Sequence, residues 1–157
     1  YRTCASTDAN YVAPAAFGMA RIRAARGDIP GAVQALDLVP STSRGFVEAR
    51  RQRATHLYES GGGLPALAEA MSSLQGVRLD PSDQAKLTAQ ILEKALSEVA
   101  TNGAGKGLSI GPYRADDESL RDGLEKTYRV LAGSTTDQRT RYELVDKANA
   151  VRRWTLR

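Results

Sequence analysis

Cysteine is almost missing from this sequence. Cys4 is the one cysteine among 157 residues. No disulfide framework can form within the chain, and no cysteine-based metal centre can be assembled. Aromatic residues are scarce, at 6%, while alanine is abundant. That balance favours closely packed helices over sheets. No apolar run approaches the ~18 residues of a membrane span, and no secretory leader is visible. The net charge is +4, too small by itself to argue for a nucleic acid partner. An initiator methionine is lacking too, and the opening "YRT" is expected to mark a fragment of a longer protein. A reducing cytosol suits such a composition, so a cytoplasmic location is expected.

What is present is helical periodicity. The first expected helix spans 11–26, with Asn10 as its cap and Gly27 closing it in a left-handed conformation. A second covers 30–39, with Ala32, Val33, Leu36 and Val39 on one stripe. "STS" at 41–43 offers caps for a third, which ends at "GGG", 61–63. A fourth covers 64–75. Asp80 followed by Pro81 signals the start of a long fifth, reaching about 101 and carrying the broadest apolar face. Asp116, Asp117 and Glu118 open a sixth, where the helix dipole favours negative charge, and Gly133 is expected to close it. A seventh starts at Thr135 or Thr136. No stretch alternates with period two long enough to predict a strand.

The first two helix pairs are related by a shift of 34: Ala20 matches Ala54, Gly27 matches Gly61, and Ala32 matches Ala66. Small residues recur where two helices or a turn come close. This period resembles the tetratricopeptide repeat. The departures are an early Pro40, Arg23 where tyrosine is usual, and Ala70 where a large residue is expected. The expected fold is all-α, with about seven helices and no sheet. Tetratricopeptide-like antiparallel pairs would stack as a short right-handed superhelix; a plain helical bundle is the alternative. One domain over 1–157 is expected, with a first repeat through 40 and a second over 41–79. A degenerate third pair over 80–132 would contain the loop 102–115, and a C-terminal helix would fill 133–157.

Three blocks carry a closer resemblance: "YRT" at 1–3, "AAFGMARIRAARGDIPGAVQALDLVPSTSRGFVEAR" at 15–50, and "RYELVDKANAVR" at 141–152. They look like the C-terminal tetratricopeptide region of the actinobacterial serine/threonine protein kinase G family. The resemblance implies an upstream rubredoxin-like domain and a kinase domain, both absent here. It implies a cytosolic kinase that phosphorylates a forkhead-associated regulator, and a repeat region that serves self-association and packs on its own kinase domain. No catalytic, cofactor-binding or metal residue is expected in the fragment, which lacks H-R-D and D-F-G motifs and paired C-x-x-C. ATP and Mg would belong to the kinase domain.

A nucleotide site at "TNGAGKGLSIGP", 101–112, fails on spacing. A phosphate loop needs G-x-x-x-x-G-K-[ST] between a strand and a helix. Here Gly107 follows Lys106, Ala100 replaces the first glycine, and a helix precedes. A flexible crossover is expected instead, with Lys106 a solvated charge. His56, the lone histidine, has Glu59 as its close carboxylate and is expected to be structural or at the surface.

Arginine clusters are the remaining feature: Arg21, Arg23 and Arg26; Arg50, Arg51 and Arg53; and Arg139, Arg141, Arg152, Arg153 and Arg157. The repeat reading puts Phe17, Arg21, Ala24 and Ala25 on the groove from the first repeat. Arg51, Thr55, Tyr58 and Glu59 follow from the second. Arginine suits bidentate capture of carboxylates, so the expected partner is a protein or acidic peptide, or a second copy of the chain. A merely solvated charged face is the competing reading. A basic nucleic-acid-binding module is a further alternative, disfavoured by the lack of a helix-turn-helix pattern and of stacking aromatics. An adaptor unrelated to any kinase is another. Neither nucleic acid nor membrane is expected as a partner.

Overall fold

Two positive-φ glycines, Gly27 (φ +77°) and Gly61 (φ +70°), each end one helix and allow the next to fold back. Only glycine takes this conformation without strain. In the computed structural model, which describes residues 11–152, they separate α1 (Val12–Ala25) from α2 (Ile29–Leu36) and α3 (Phe46–Glu59) from α4 (Gly63–Leu74). The long α5 (Pro81–Asn102) follows, then α6 (Asp117–Ser134) and α7 (Gln138–Val151). Asn10, Cys4, Arg153 and Arg157 lie outside the described residues.

Capping explains most helix starts. The carboxylates of Asp28, Asp80 and Asp116 accept from the backbone N–H of Gly31, Asp83 and Ser119 at 2.9, 3.3 and 2.7 Å. Two starts differ from expectation. α3 begins at Phe46, beyond the serines of 41–43, and Ser43 Oγ instead accepts from Gly45 N–H within a turn. Gly45 packs on α1: a Cβ there would meet Ala13 Cβ at 2.9 Å and the Phe17 ring at 3.2 Å. Close helix packing, rather than a hydroxyl cap, sets that start. α7 is capped by Asp137, which accepts from Thr140 N–H at 3.0 Å, in place of Thr135 or Thr136. α6 runs through Gly133 to Ser134, without the left-handed turn expected at Gly133.

Among the described residues the apolar interior forms two clusters. One joins Ala16, Met19 and Ala20 of α1 to Ala32, Ala35 and Leu36 of α2, with Val39 and Ala49. The other includes Ala54, Leu67, Leu74, Ile91, Leu92, Leu120, Leu124 and Ala148. Thus α3 gives one buried alanine to each cluster, and its small side chains let α3 approach helices on both sides. Tyr128 on α6 donates its phenol proton to Glu93 Oε1 on α5. Burial first, and then this bond, push the phenol pKa well above its ordinary value.

The glycine-rich stretch is the main correction. The all-α class holds, but 103–116 is a docked hairpin rather than a flexible crossover. Strands β1 (Ser109–Ile110) and β2 (Tyr113–Arg114) pair antiparallel, with Ser109 opposite Arg114 and Ile110 opposite Tyr113. Gly111 (φ +62°) makes the link, and a Cβ on it would strike Met71 Cγ at 2.8 Å. Gly105 N–H donates to the Ala115 carbonyl at 2.9 Å, and Ala115 N–H to Leu108 at 3.0 Å. Tyr113 lies flat on Gly123 of α6, where a Cβ would meet its ring at 2.8 Å. Ile110 is fully buried. Lys106 is exposed, as expected for a solvated charge. Ile110→Ala is expected to lower stability by about 2–3 kcal/mol in urea unfolding. A change below about 0.5 kcal/mol, the size of an ordinary surface substitution, would show that the hairpin does not dock.

Candidate functional site

The stripe Glu48, Arg51, Gln52, Thr55 and His56 recurs at helical spacing along α3 and faces Phe17, Arg21 and Ala24 of α1. Together they line an open groove of about 530 Å³. On the other side of Thr55, the residues Ala54, Tyr58 and Glu59 face Leu87, Gln90 and Ile91 of α5 across a second hollow of about 140 Å³. Thr55 lines both. The first helices of successive pairs therefore build one surface with two compartments.

Of the expected groove residues, Phe17, Arg21, Ala24, Arg51 and Thr55 come together in the larger compartment. Tyr58 and Glu59 belong to the smaller one, and Ala25 lines neither. Sequence reasoning missed Glu48 and Gln52, although Gln52 and His56 continue the helical spacing from Glu48. It also missed the α5 wall, because the third repeat has no turn where the period expects one. His56 is half-buried in the groove wall. Among the described residues no three His, Cys, Asp or Glu side chains are grouped to hold a metal ion.

The two arginines of the groove are lightly held. Arg51 Nη1 lies 4.0 Å from Glu48 Oε2, and both side chains are about half exposed. Glu48 already accepts from Gln52 Nε2 at 3.1 Å. Arg21 makes no ion pair among the described residues and is exposed. Outside the smaller compartment, the Lys94 ammonium sits 4.5 Å from the Tyr58 ring centroid and also donates to the Tyr58 carbonyl.

The neighbouring arginines are engaged elsewhere. Arg23 Nη1 donates to the Gly31 carbonyl at 3.0 Å, bracing the first turn. Arg50 Nε donates to the Ser73 carbonyl at 3.1 Å, and its guanidinium lies 6.0 Å from the Phe46 ring centroid. Burial, then the adjacent Arg53 charge, pull its pKa below the arginine range, against the opposing pull of Asp37 and Glu69. Arg53 joins Asp37 (3.0 Å), Glu69 (3.1 Å) and Ser73 Oγ (2.6 Å). On α7, Arg139 pairs with Glu143 at 3.3 Å, and Arg141 donates to the Thr135 carbonyl at 2.9 Å. Arg23, Arg50, Arg53, Arg139 and Arg141 are thus each engaged with groups of the chain itself rather than held free for a ligand. Likewise the acidic run at the start of α6 caps and pairs locally, with Asp117 2.9 Å from Arg121. No helix among the described residues is long and apolar enough to cross a membrane.

Antiparallel helix pairs repeating at 34 residues, with a groove along their first helices, define a tetratricopeptide-like repeat domain. Residues 1–155 match the family model described as the protein kinase G tetratricopeptide repeat, and the chain belongs to that family. It is similar to two proteins named serine/threonine-protein kinase PknG. The one from Mycobacterium leprae (strain TN) is 38% identical, and that from Mycolicibacterium smegmatis (strain ATCC 700084 / mc(2)155) 36%. Each alignment takes in 97% of this chain and 20% of the relative, so the chain spans about one fifth of their length.

Proposed function

We propose that this chain is a non-catalytic protein-interaction domain of a cytosolic serine/threonine kinase. It would bind a protein partner or acidic segment in the groove, pack on its own kinase domain and associate with a second copy. ATP and Mg would act in the kinase domain, with no cofactor in this one. The observation that carries the reading is the groove itself, where Arg21 makes no ion pair among the described residues and Arg51 has the half-exposed Glu48 at 4.0 Å. Two forked donors facing an open hollow suit the capture of carboxylates.

An acidic peptide titrated against the 157-residue chain should bind, and the Arg21→Gln/Arg51→Gln double variant should weaken it about tenfold, within the range for charge-assisted hydrogen bonds. Unchanged affinity in the variant sinks the groove assignment. For self-association, light scattering of the chain and of the whole kinase should show a mass rising with concentration. A monomer at every concentration in both would end that part of the proposal.

A further inference from the structure

The junction between the second helix pair, α3–α4, and the third, α5–α6, is built unlike the first. At the first junction α1 and α2 both pack directly on α3. At the second, α4 packs on α5, but α4 and α6 do not pack extensively on each other. Each meets the hairpin instead, α4 through β1 and α6 through β2. α3 and α5 face each other across the smaller hollow, and the Lys94 side chain of α5 reaches the Tyr58 carbonyl of α3.

The hairpin is fitted to α4 from the first turn of that helix to its C-terminal cap. A Cβ on Gly105 would meet Leu64 Cδ1 at 3.0 Å. One on Gly111 would meet Met71 Cγ at 2.8 Å and Gln75 Nε2 at 3.5 Å. Leu64, Met71 and Gln75 follow helical spacing and share one face of α4. Between these contacts Ile110 is wholly buried, within the apolar cluster that also holds Leu67, Met71 and Leu74 of α4. Both ends of the hairpin are tied by the chain to the third pair, since it leaves α5 at Asn102 and enters α6 at Asp117. Its seat on α4 is therefore a contact between pairs, whereas the Tyr113 ring on Gly123 is a contact within one.

We propose that the hairpin is a strap across this junction. Seated on α4, it fixes the angle between the second and third helix pairs, and with it the width of the hollow between α3 and α5. α4, α5, α6 and the two strands close into a ring of packed elements, and such a ring has little freedom to turn. With the strap lifted, the packing of α4 on α5 is the main link left, and it becomes a hinge. The hollow then widens or narrows as the third pair turns. In stacked repeats each unit contacts only its neighbours, so the angle at one junction sets the curvature of the array. This role does not depend on what the groove binds.

Pulsed electron–electron double resonance on the spin-labelled 157-residue chain tests the strap. Cys4→Ser first removes the one native cysteine. Arg51→Cys with Gln90→Cys places labels at exposed positions of α3 and α5, across the junction. Gln90→Cys with Lys126→Cys, exposed on α5 and α6, is the control within the third pair. The hairpin is lifted in two ways. Gly111→Val sets a branched side chain against Met71 at a positive φ, and a second variant exchanges 105–115 for a Gly/Ser linker of equal length, which has no Ile110 to seat. Circular dichroism verifies that the helices remain. The native chain should give one narrow distance for each pair. Both variants should shift and broaden the distance across the junction and leave the control unchanged. A distance across the junction that stays native in the linker variant overturns the strap, because the α4–α5 contact alone then fixes the angle. Broadening of both pairs together also overturns it, because the hairpin then braces the third pair itself. If the linker variant does not fold, Gly111→Val decides by the same criteria.

Discussion

Leu92→Ala should lower the unfolding free energy of the chain by about 3–5 kcal/mol, the upper part of the range for a buried leucine. Leu92 is fully buried on α5, within the larger apolar cluster, where α4, α5 and α6 contribute side chains. Rigid helices on several sides cannot close over the missing methyl groups, so a cavity adds to the lost transfer energy. Urea unfolding followed by circular dichroism measures the shift in midpoint. The control is Leu38→Ala, 45% exposed after α2, which should change stability by about 0.5 kcal/mol or less. Equal effects at both positions would mean that α5 is not the centre of the fold. A second, earlier transition in Leu92→Ala would show that the α1–α2 cluster unfolds separately, as repeat arrays permit.

The next largest effect is expected at Arg53. Its side chain is 13% exposed and reaches Asp37 beyond α2 and both Glu69 and Ser73 on α4. Arg53→Ala should cost about 1–3 kcal/mol, because it removes the donor to the wholly buried Ser73 and the packed pairing with Glu69, while Asp37 keeps Arg50 at 3.9 Å. Arg53→Lys should recover less than half, since an ammonium cannot fork towards partners on two helices. Arg139→Ala gives the contrast. That side chain is 89% exposed in its pair with Glu143, and its loss should be within about 0.5 kcal/mol. Thermal unfolding of the three variants separates these outcomes. Full rescue by lysine would mean that net charge, not the fork, joins the helix pairs.

Much of this architecture is local and can be read along the chain. Asp28, Asp80 and Asp116 mark helix starts because a carboxylate satisfies N–H groups two or three residues ahead. Gly27 and Gly61 mark the turns because the backbone there needs positive φ. Their shared period carries over to the groove, placing Phe17, Arg21, Arg51 and Thr55 on facing helices before any coordinates are considered. The family resemblance carried by the blocks at 15–50 and 141–152 is likewise a property of residue order.

Other features depend on residues far apart in the chain. The start of α3 follows from Gly45 lying against Ala13 and Phe17, and no capping rule contains that contact. Arg50, Arg51 and Arg53 look alike in the sequence, yet their roles part according to what lies across from each face of α3. Arg50 and Arg53 meet groups on α4 some 16 to 23 residues away, whereas Arg51 meets an open groove. "TNGAGKGLSIGP" reads locally as a mobile turn, since glycine has the largest conformational entropy to lose. Burial of Ile110, with Gly111 fitted against Met71, orders it. Side-chain periodicity and caps are short-range signals that residue order carries. Which face meets a neighbour, and whether a flexible segment finds a surface to cover, is decided when the helices pack.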